Sequence, residues 1–433
     1  MRIAVIGAGV SGLLAARLLS TRHEVQLLEA SDFLGGHANT VYVSIDRRTF
    51  AVDTGFMVFN ERTYPNFLRL LDLLGIFSQP SDMSFSVTCE RTGWEYQGSS
   101  LSGMFAQTRN ICRPAFLRMI VDILRFNRDA KEFLAKADFS ITLDQFLRDA
   151  QYSEAFCEKY LLPMTAAIWS SPTESIRDFP AHFLLRFMQN HGLLQIRDRP
   201  RWQTIPGGSR RYIRALATGL EDRIRLGCSV RAVTRGLDQI VVETDTNKKQ
   251  VFDAVVMATH ADTTLNLLAD ADDRERIILS AILYQQNSAV LHTDVSWLPS
   301  RKTAWASWNY RISDSETQRT CVTYDLTRLQ RIDSPQRILL TLNPHRRIPK
   351  SKFLREFAYS HPIFNAEGIA AQYRLPEISG TKRTYFCGAY WGNGFHEDGV
   401  VSALAVADQF GIGLEACTAA CTKDLLRTFE PVR

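Results

Sequence analysis

The chain opens on an apolar run, Arg2–Ile6 (RIAVI), whose Ile and Val content is the pattern of a strand buried on both faces. Val10–Ser20 then carries Leu13, Leu14, Ala16, Leu18 and Leu19 at helical spacing, and Glu24–Glu29 (EVQLLE) reads as a second strand. Together these form a βαβ opening. From Ser102 to His191 the period is helical. It predicts one helix over Phe116–Lys136 and another over Pro180–Asn190, with Pro180 as a first helical residue and Gly192 as the stop. Strand patterns return between Arg223 and Met257 (IRLG, CSVRAV, IVVET, FDAVVMA) and again over 285–342 (SAVLHT, TAWASW, RTCVTYD, RILLTL). The last unit is a strand at Thr384–Gly388 followed by a helix over Val400–Phe410. The α/β signal thus comes in three separated pieces. The economical reading is an α/β fold in which residues 1–80, 203–280 and 380–415 build a nucleotide-binding domain, and 81–202 and 281–379 form an inserted α+β substrate domain.

Composition narrows the classes. With 433 residues, 45% apolar and 22% charged, the chain can bury a large core, which excludes disorder, collagen-like repeats and a coiled coil. Lys+Arg 51 against Asp+Glu 46 leaves +5, too mild and dispersed for nucleic acid, though compatible with peripheral contact at a membrane surface. None of the eight cysteines forms a C-x-x-C pair, and Cys417/Cys421 have no second pair, so no metal site is expected. They read as reduced thiols of a cytoplasmic protein. The glycine-interrupted N-terminus argues against a signal peptide, and no apolar stretch is long enough for a membrane helix.

Gly7-Ala8-Gly9-Val10-Ser11-Gly12 is a G-x-G-x-x-G that follows a strand and opens a helix, and Glu29 closes the next strand. Gly7 permits the tight turn, Gly9 lets backbone approach a pyrophosphate, and Gly12 lets helix pack on strand. The amides of Val10 and Ser11 lie at the helix N-terminus, where phosphates bind. Glu29 would accept from a ribose diol, and an acid there repels a 2′-phosphate. This is a Rossmann-type dinucleotide fingerprint.

Beyond it stand Ala30, then Gly35-Gly36-His37, then Val52-Asp53-Thr54-Gly55-Phe56. With these the sequence resembles the flavin-dependent amine oxidase and phytoene desaturase superfamily, where a ribose-binding acid precedes Gly-Gly-Arg and a D-x-G stretch follows. Ile205-Pro206-Gly207-Gly208-Ser209 with Arg225–Val233, which includes Val230, resembles the family's return to the flavin domain. Val255–Thr259 resembles its crossing strand, and Phe386-Cys387-Gly388 with Gly399-Val400-Val401-Ser402-Ala403 resembles its C-terminal flavin motif. The resemblance implies a Rossmann-type FAD-binding domain and FAD as cofactor. There is no second G-x-G-x-x-G after a strand for a nicotinamide, so oxygen or a quinone is the expected electron acceptor. Amides around Val400 and Val401 are expected at a helix N-terminus facing the flavin pyrimidine.

Three features depart from the amine oxidases. His37 stands where they have Arg; the strand Ser288–Thr293 lacks their lysine; Val400 and Val401 bring no aromatic for an amine cage. Cys387 lies away from the family's covalent attachment point, so the FAD is expected to be non-covalent. These departures favour carbon–carbon desaturation or isomerisation over amine oxidation.

The loop Tyr390–Asp398 lies between the strand and the flavin-facing turn. His396, with Glu397 or Asp398 beside it to raise its pKa, is a candidate proton acceptor; the other reading is a hydrogen-bonded pair shaping the loop or touching ribityl and phosphate. Asp53, His260, His292 and Asp325 read as structural. Phe183, Leu184, Phe187, Met188, Leu193 and Leu194, with Trp169, Trp202, Trp305 and Trp308, supply an apolar substrate side, although most belong in a core. The mixed-sign stripe of Phe116–Lys136 suits a packed helix. The expected activity is hydride removal from an apolar substrate, a lipid acyl chain or isoprenoid. The alternatives are a flavin-dependent double-bond isomerase, an amine oxidase producing peroxide, and a non-catalytic FAD-binding partner protein.

Overall fold

The computed structural model describes residues 1–136, 138–195, 197–313 and 319–420; Cys421 lies outside them. Along the chain the first unit is β1 (Arg2–Ile6), α1 (Val10–Leu19) and β2 (Glu24–Leu28), followed by α2 (Pro65–Leu73). Next come β3 (Phe85–Cys89) and β4 (Trp94–Gln97), the long α3 (Pro114–Lys136), α4 (Ala181–Asn190) and α5 (Arg210–Ala217). The short β5 (Ile224–Arg225) and β6 (Ala254–Met257) precede β7 (Leu283–His292), β8 (Trp308–Ile312), β9 (Val322–Asp325), β10 (Leu339–Leu342) and β11 (Phe353–Ile363). β12 (Thr384–Phe386) and α6 (His396–Asp408) close the fold.

Two sheets organise these elements. The first has order β5-β2-β1-β6-β12 and is parallel throughout, with Ile3 to Ile6 paired against Val25 to Leu28 on one side and Ala254 to Met257 on the other. Being covered on both faces, β1 and β6 are apolar at nearly every position, as a doubly packed parallel strand requires. α1 is buried along its whole length. The second sheet has order β11-β7-β10-β9-β8-β3-β4, antiparallel except for the β8–β3 pair. Its core joins α3, α4 and the helices between them in one large apolar cluster.

Three sequence expectations shift in register or place. Pro180 caps α4 with extended backbone and is not its first helical residue. The α3 stripe is amphipathic as expected: Phe116, Met119, Phe126 and Phe133 face inward, while Arg118 pairs with the buried Asp122. Of the strand patterns over 223–257, residues 230–252 form a separate three-stranded antiparallel sheet, so only β5 and β6 join the parallel one. α6 begins at His396, ahead of the glycine that the sequence pattern takes as its start. Among the described residues, no helix is long and apolar enough to cross a membrane.

His292 is the last residue of β7 and has no exposure. Its Nε2 is 2.7 Å from Thr341 Oγ1, and its Nδ1 accepts from the Asp294 amide. Burial lowers its pKa to about 4. Its folded pKa lies below the unfolded value, so the unfolded chain binds the extra proton. The stabilisation is complete above pH 6.5 and is lost as pH falls toward 4. Chemical denaturation of His292→Gln should therefore show a shallower acid loss than the parent, by about 2 kcal/mol between pH 7 and 5. Equal slopes for the two proteins would contradict the buried neutral imidazole.

Candidate active site

The site is built at the carboxyl ends of the parallel strands, where a doubly wound sheet receives its ligands. Gly7 has φ +101°, and a Cβ on Gly12 would run into the Gly7 carbonyl oxygen, so the turn and the start of α1 both exclude side chains. Gly9 is different. A Cβ there would have nothing within 4 Å. The chain's own packing does not demand glycine at this position; open space for another molecule does. Val10, Ser11 and Gly12 form the first turn of α1, whose amides lack intrahelical acceptors. Glu29 is drawn onto this loop: its Oε2 accepts from the Ala8 amide at 2.6 Å and its Oε1 from Ser31 at 2.8 Å. Ala30 is exposed on the same turn. The Cys228 amide donates to the Glu29 carbonyl and Gly227 to that of Ser31, bringing Val230 in behind the turn.

A second loop lies across the first. The Gly35 amide donates to the Ala8 carbonyl, and a Cβ on Gly36 would stand 3.3 Å from Gly9 Cα. His37 follows, and its backbone carbonyl accepts from Phe56, so Thr54, Gly55 and Phe56 line up beside it. Asp53 anchors the arrangement. Its carboxylate accepts from the Ser209 amide (3.0 and 2.9 Å), Ser209 Oγ (2.7 Å) and Thr40 Oγ1 (2.5 Å), while Gln330 brackets its backbone. Burial still raises its pKa to about 6.

α6 arrives from the other side. Gly399 packs directly on Val10 and Ser11, so the first turns of α1 and α6 converge. The Gly388 amide is held by Ser402 Oγ at 2.8 Å. Because the helix begins at His396, Val400 and Val401 are interior residues, one buried and one exposed, and their amides are not the free ones. The expectation that these two amides face the flavin is corrected accordingly. The Asp398 carboxylate accepts from the Phe395 amide and closes the cap earlier than the glycine pattern indicates.

The expected pairing of His396 with an acid is also not what the fold builds. The Glu397 carboxylate caps α2, accepting from the Asn66 amide (3.0 Å), Asn66 Nδ2 (2.7 Å) and the Phe67 amide (2.9 Å). His396 instead hydrogen-bonds Tyr212 and stacks on Phe56 at 3.7 Å and 6°. Its pKa does not rise; burial lowers it to about 3.

Three other histidines gather next to the glycine loops. His37 lies with ring centroids 6.0 Å from His260 and 5.5 Å from His361, and Tyr359 and Tyr284 flank the group. All three are shifted down chiefly by burial, His361 to about 4. The sequence carries no signal that singles out His361, and it gives His260 the pattern of a structural residue. Among the described residues no group forms a metal cluster. An aromatic wall adjoins the histidines. Phe364 and Pro362 back the turn at Gly394, Phe395 stacks on Phe187 (5.1 Å), and Phe183 stacks on Phe364 (5.3 Å). Trp169 donates from Nε1 to the Asn393 carbonyl. Leu184, Met188 and Leu194 are core; Trp308 opens β8 and meets Tyr324, and Trp305, in the turn before β8, donates to the Pro299 carbonyl. A cleft of about 450 Å³ opens beside it, lined by Tyr64, Pro65, Asn190, His191 and Phe395.

The family model for flavin containing amine oxidoreductases matches residues 10–410. Cyclohexylamine oxidase from Brevibacterium oxydans IH-35A shares the fold with a TM-score of 0.68 at 13% identity, covering 95% of this chain and 99% of that one. The CLA-producing fatty acid isomerase from P. acnes gives 0.67 at 16% identity, with 95% and 99% covered. Putrescine oxidase, in its wild-type form bound to putrescine, gives 0.64 at 15%, with 95% and 99% covered. A protein named "Probable flavin-containing monooxygenase 1" from Arabidopsis thaliana is 36% identical over 89 residues, which is 19% of this chain and only 17% of that protein.

The two glycines should separate in mutagenesis. Gly12→Ala meets backbone and should destabilise the fold by about 2 kcal/mol or more, the cost of overpacking. Gly9→Val meets open space, so it should unfold like the parent yet bind no flavin. Equal flavin content in parent and Gly9→Val would remove this loop from the cofactor site. Glu29→Ala, measured by flavin titration, should weaken binding by about 1–3 kcal/mol.

Proposed function

The chain belongs to the flavin containing amine oxidoreductase family and is an FAD-dependent oxidoreductase, and from that premise we propose that it removes a hydride from an uncharged, apolar substrate, a lipid acyl chain or an isoprenoid. The residues fit FAD. The open cradle at Gly9, the two converging helix starts and the buried, unpartnered Nε2 of His37 are what a dinucleotide with a polar ribityl chain would occupy. Glu29 would hold the adenosine ribose and the first turn of α1 the pyrophosphate. FAD, when bound, supplies the two-electron acceptor.

One observation carries the choice of substrate: His37, His260 and His361 stand together at the site, and burial shifts each of them toward its neutral form. Neither His37 nor His361 has a carboxylate among the charges acting on it, and the one that acts on His260, Asp262, is exposed. Surroundings that expel a proton from imidazole oppose an ammonium group in the same way. The adjoining rings of Trp169, Phe183, Phe187 and Phe395 suit a hydrocarbon and exclude water from it. His396 acts here as a positioning residue, backing Phe56 and tying α6 to Tyr212 of α5. It does not take the substrate proton. We propose that FAD is held without a covalent bond, since burial pushes the Cys387 thiol up to about 12, leaving it inert. Oxygen or a quinone takes the electrons afterwards.

Anaerobic mixing tests the reading. The visible flavin band should bleach with unsaturated acyl lipids or isoprenoids and persist with polyamines and simple primary amines. Bleaching by amines alone would overturn it. Lipid turnover that needs no external acceptor would assign double-bond isomerisation. Acid precipitation should leave flavin in the supernatant; flavin in the pellet would refute the non-covalent assignment.

A further inference from the structure

The paired strands β7 and β11 carry a polar chain that ends on His361, and its direction is fixed by backbone groups. The Ser288 amide can only donate, and it does so to Asn343 Oδ1 at 3.1 Å. Asn343 must therefore turn its NH2 toward the Thr320 carbonyl (3.1 Å) and Asn287 Oδ1 (2.8 Å). Gln285 is polarised in the same way. Its Nε2 donates to the Ser170 carbonyl at 3.0 Å and to Asn287 Oδ1 at 3.1 Å. With its oxygen taken by two donors, Asn287 presents its own NH2 to His361 Nδ1 at 2.9 Å. Asn287 and Asn343 are both buried, so turning either amide would strand polar groups away from water. Nδ1 of His361 is an acceptor, and the neutral ring must carry its proton on Nε2.

That Nε2 has no hydrogen-bond partner among the described residues. The ring stands 5.5 Å from that of His37, next to the Gly9 cradle. The two histidines are opposite in character. His37 bonds the Ser360 backbone and leaves its Nε2 unpartnered. His361 offers a proton.

We propose that the Nε2–H of His361 is a hydrogen-bond donor to the flavin ring of bound FAD, and that Asn287 and Asn343 are positioning residues that decide which ring nitrogen carries that proton. The oxidised ring has acceptors in its imine nitrogen and carbonyl oxygens, which a neutral donor fits and a bare imidazole nitrogen does not. The proposal rests on FAD binding alone, not on the nature of the substrate.

Two measurements on the holoenzyme test it without turnover. In 15N-histidine-labelled protein at neutral pH, the resonance lost in His361→Phe should be that of an Nε2–H tautomer in the parent. In Asn287→Ala it should become a mixture of tautomers. The visible flavin band and midpoint potential should shift in His361→Phe and, less far, in Asn287→Ala in the same direction. The double variant should move no further than His361→Phe. An Nδ1–H tautomer in the parent overturns the proposal. So does an unchanged band and potential in His361→Phe with FAD bound one to one. Neither result needs the Asn287 variant to fold. Absence of flavin from the parent protein would instead refute FAD binding itself, so the two failures are distinguishable.

Discussion

Asp53 is the constraint on which the site depends. A buried carboxylate is costly unless donors surround it, and here they are Thr40 from the same hairpin and Ser209 at the start of α5, while Gln330, from the region of the second sheet, accepts from the Asp53 amide and donates to its carbonyl. Those bonds hold the Thr40–Asp53 hairpin against both sheets. The residues that follow, Thr54 to Phe56, then have no freedom to be elsewhere, and Phe56 in turn fixes the backbone of His37. Burial raises Asp53 toward the neutral form while its hydrogen bonds oppose that rise. The balance makes the hub sensitive to loss of any one donor.

The second organising feature is electrostatic. The starts of α1 and α6 meet where Gly399 packs on Val10 and Ser11, which favours an anion there. Two acids in the first turn of α6 would cancel that advantage if they faced the same point. They do not. Glu397 is turned onto the start of α2, and Asp398 folds back on the Phe395 amide, so each stabilises a helix end without confronting a phosphate. The acids that look catalytic in sequence thus do capping work in space.

Local signals were legible and long-range ones were not. The β1–α1–β2 unit, its glycines and Glu29 lie within a short stretch, where periodicity and turn chemistry act together. The family motifs located the remaining segments of the parallel sheet. The start of α6 was misplaced because Phe395 is not a capping residue by type; the cap exists only through Asp398 three positions on. The histidine cluster left no sequence signature at all. Its members come from the loop after Gly36, the cap of the helix that follows β6, and strand β11. Only the pairing of Gln285 with His361 across β7 and β11 places the ring beside Asn287. A single histidine between serine and proline carries no pattern that announces such a role.

The two histidine environments also separate two kinds of work. His396 is enclosed, bonded to Tyr212 and stacked flat on Phe56, with a T-shaped contact to Phe67. A ring so occupied transmits position between α5, α6 and the Thr54–Phe56 turn, and protonating it would cost what burial costs any cation. His37 and His361 are half-buried, and each has a ring nitrogen with no partner among the described residues, that of His37 shut off from solvent. An unspent hydrogen-bonding atom in a buried site is tolerated when another molecule completes it. By that criterion the proposed chemistry is assigned to the Gly36–His37 and Tyr359–His361 side of the cradle, with the Phe395–Asp398 turn as its frame.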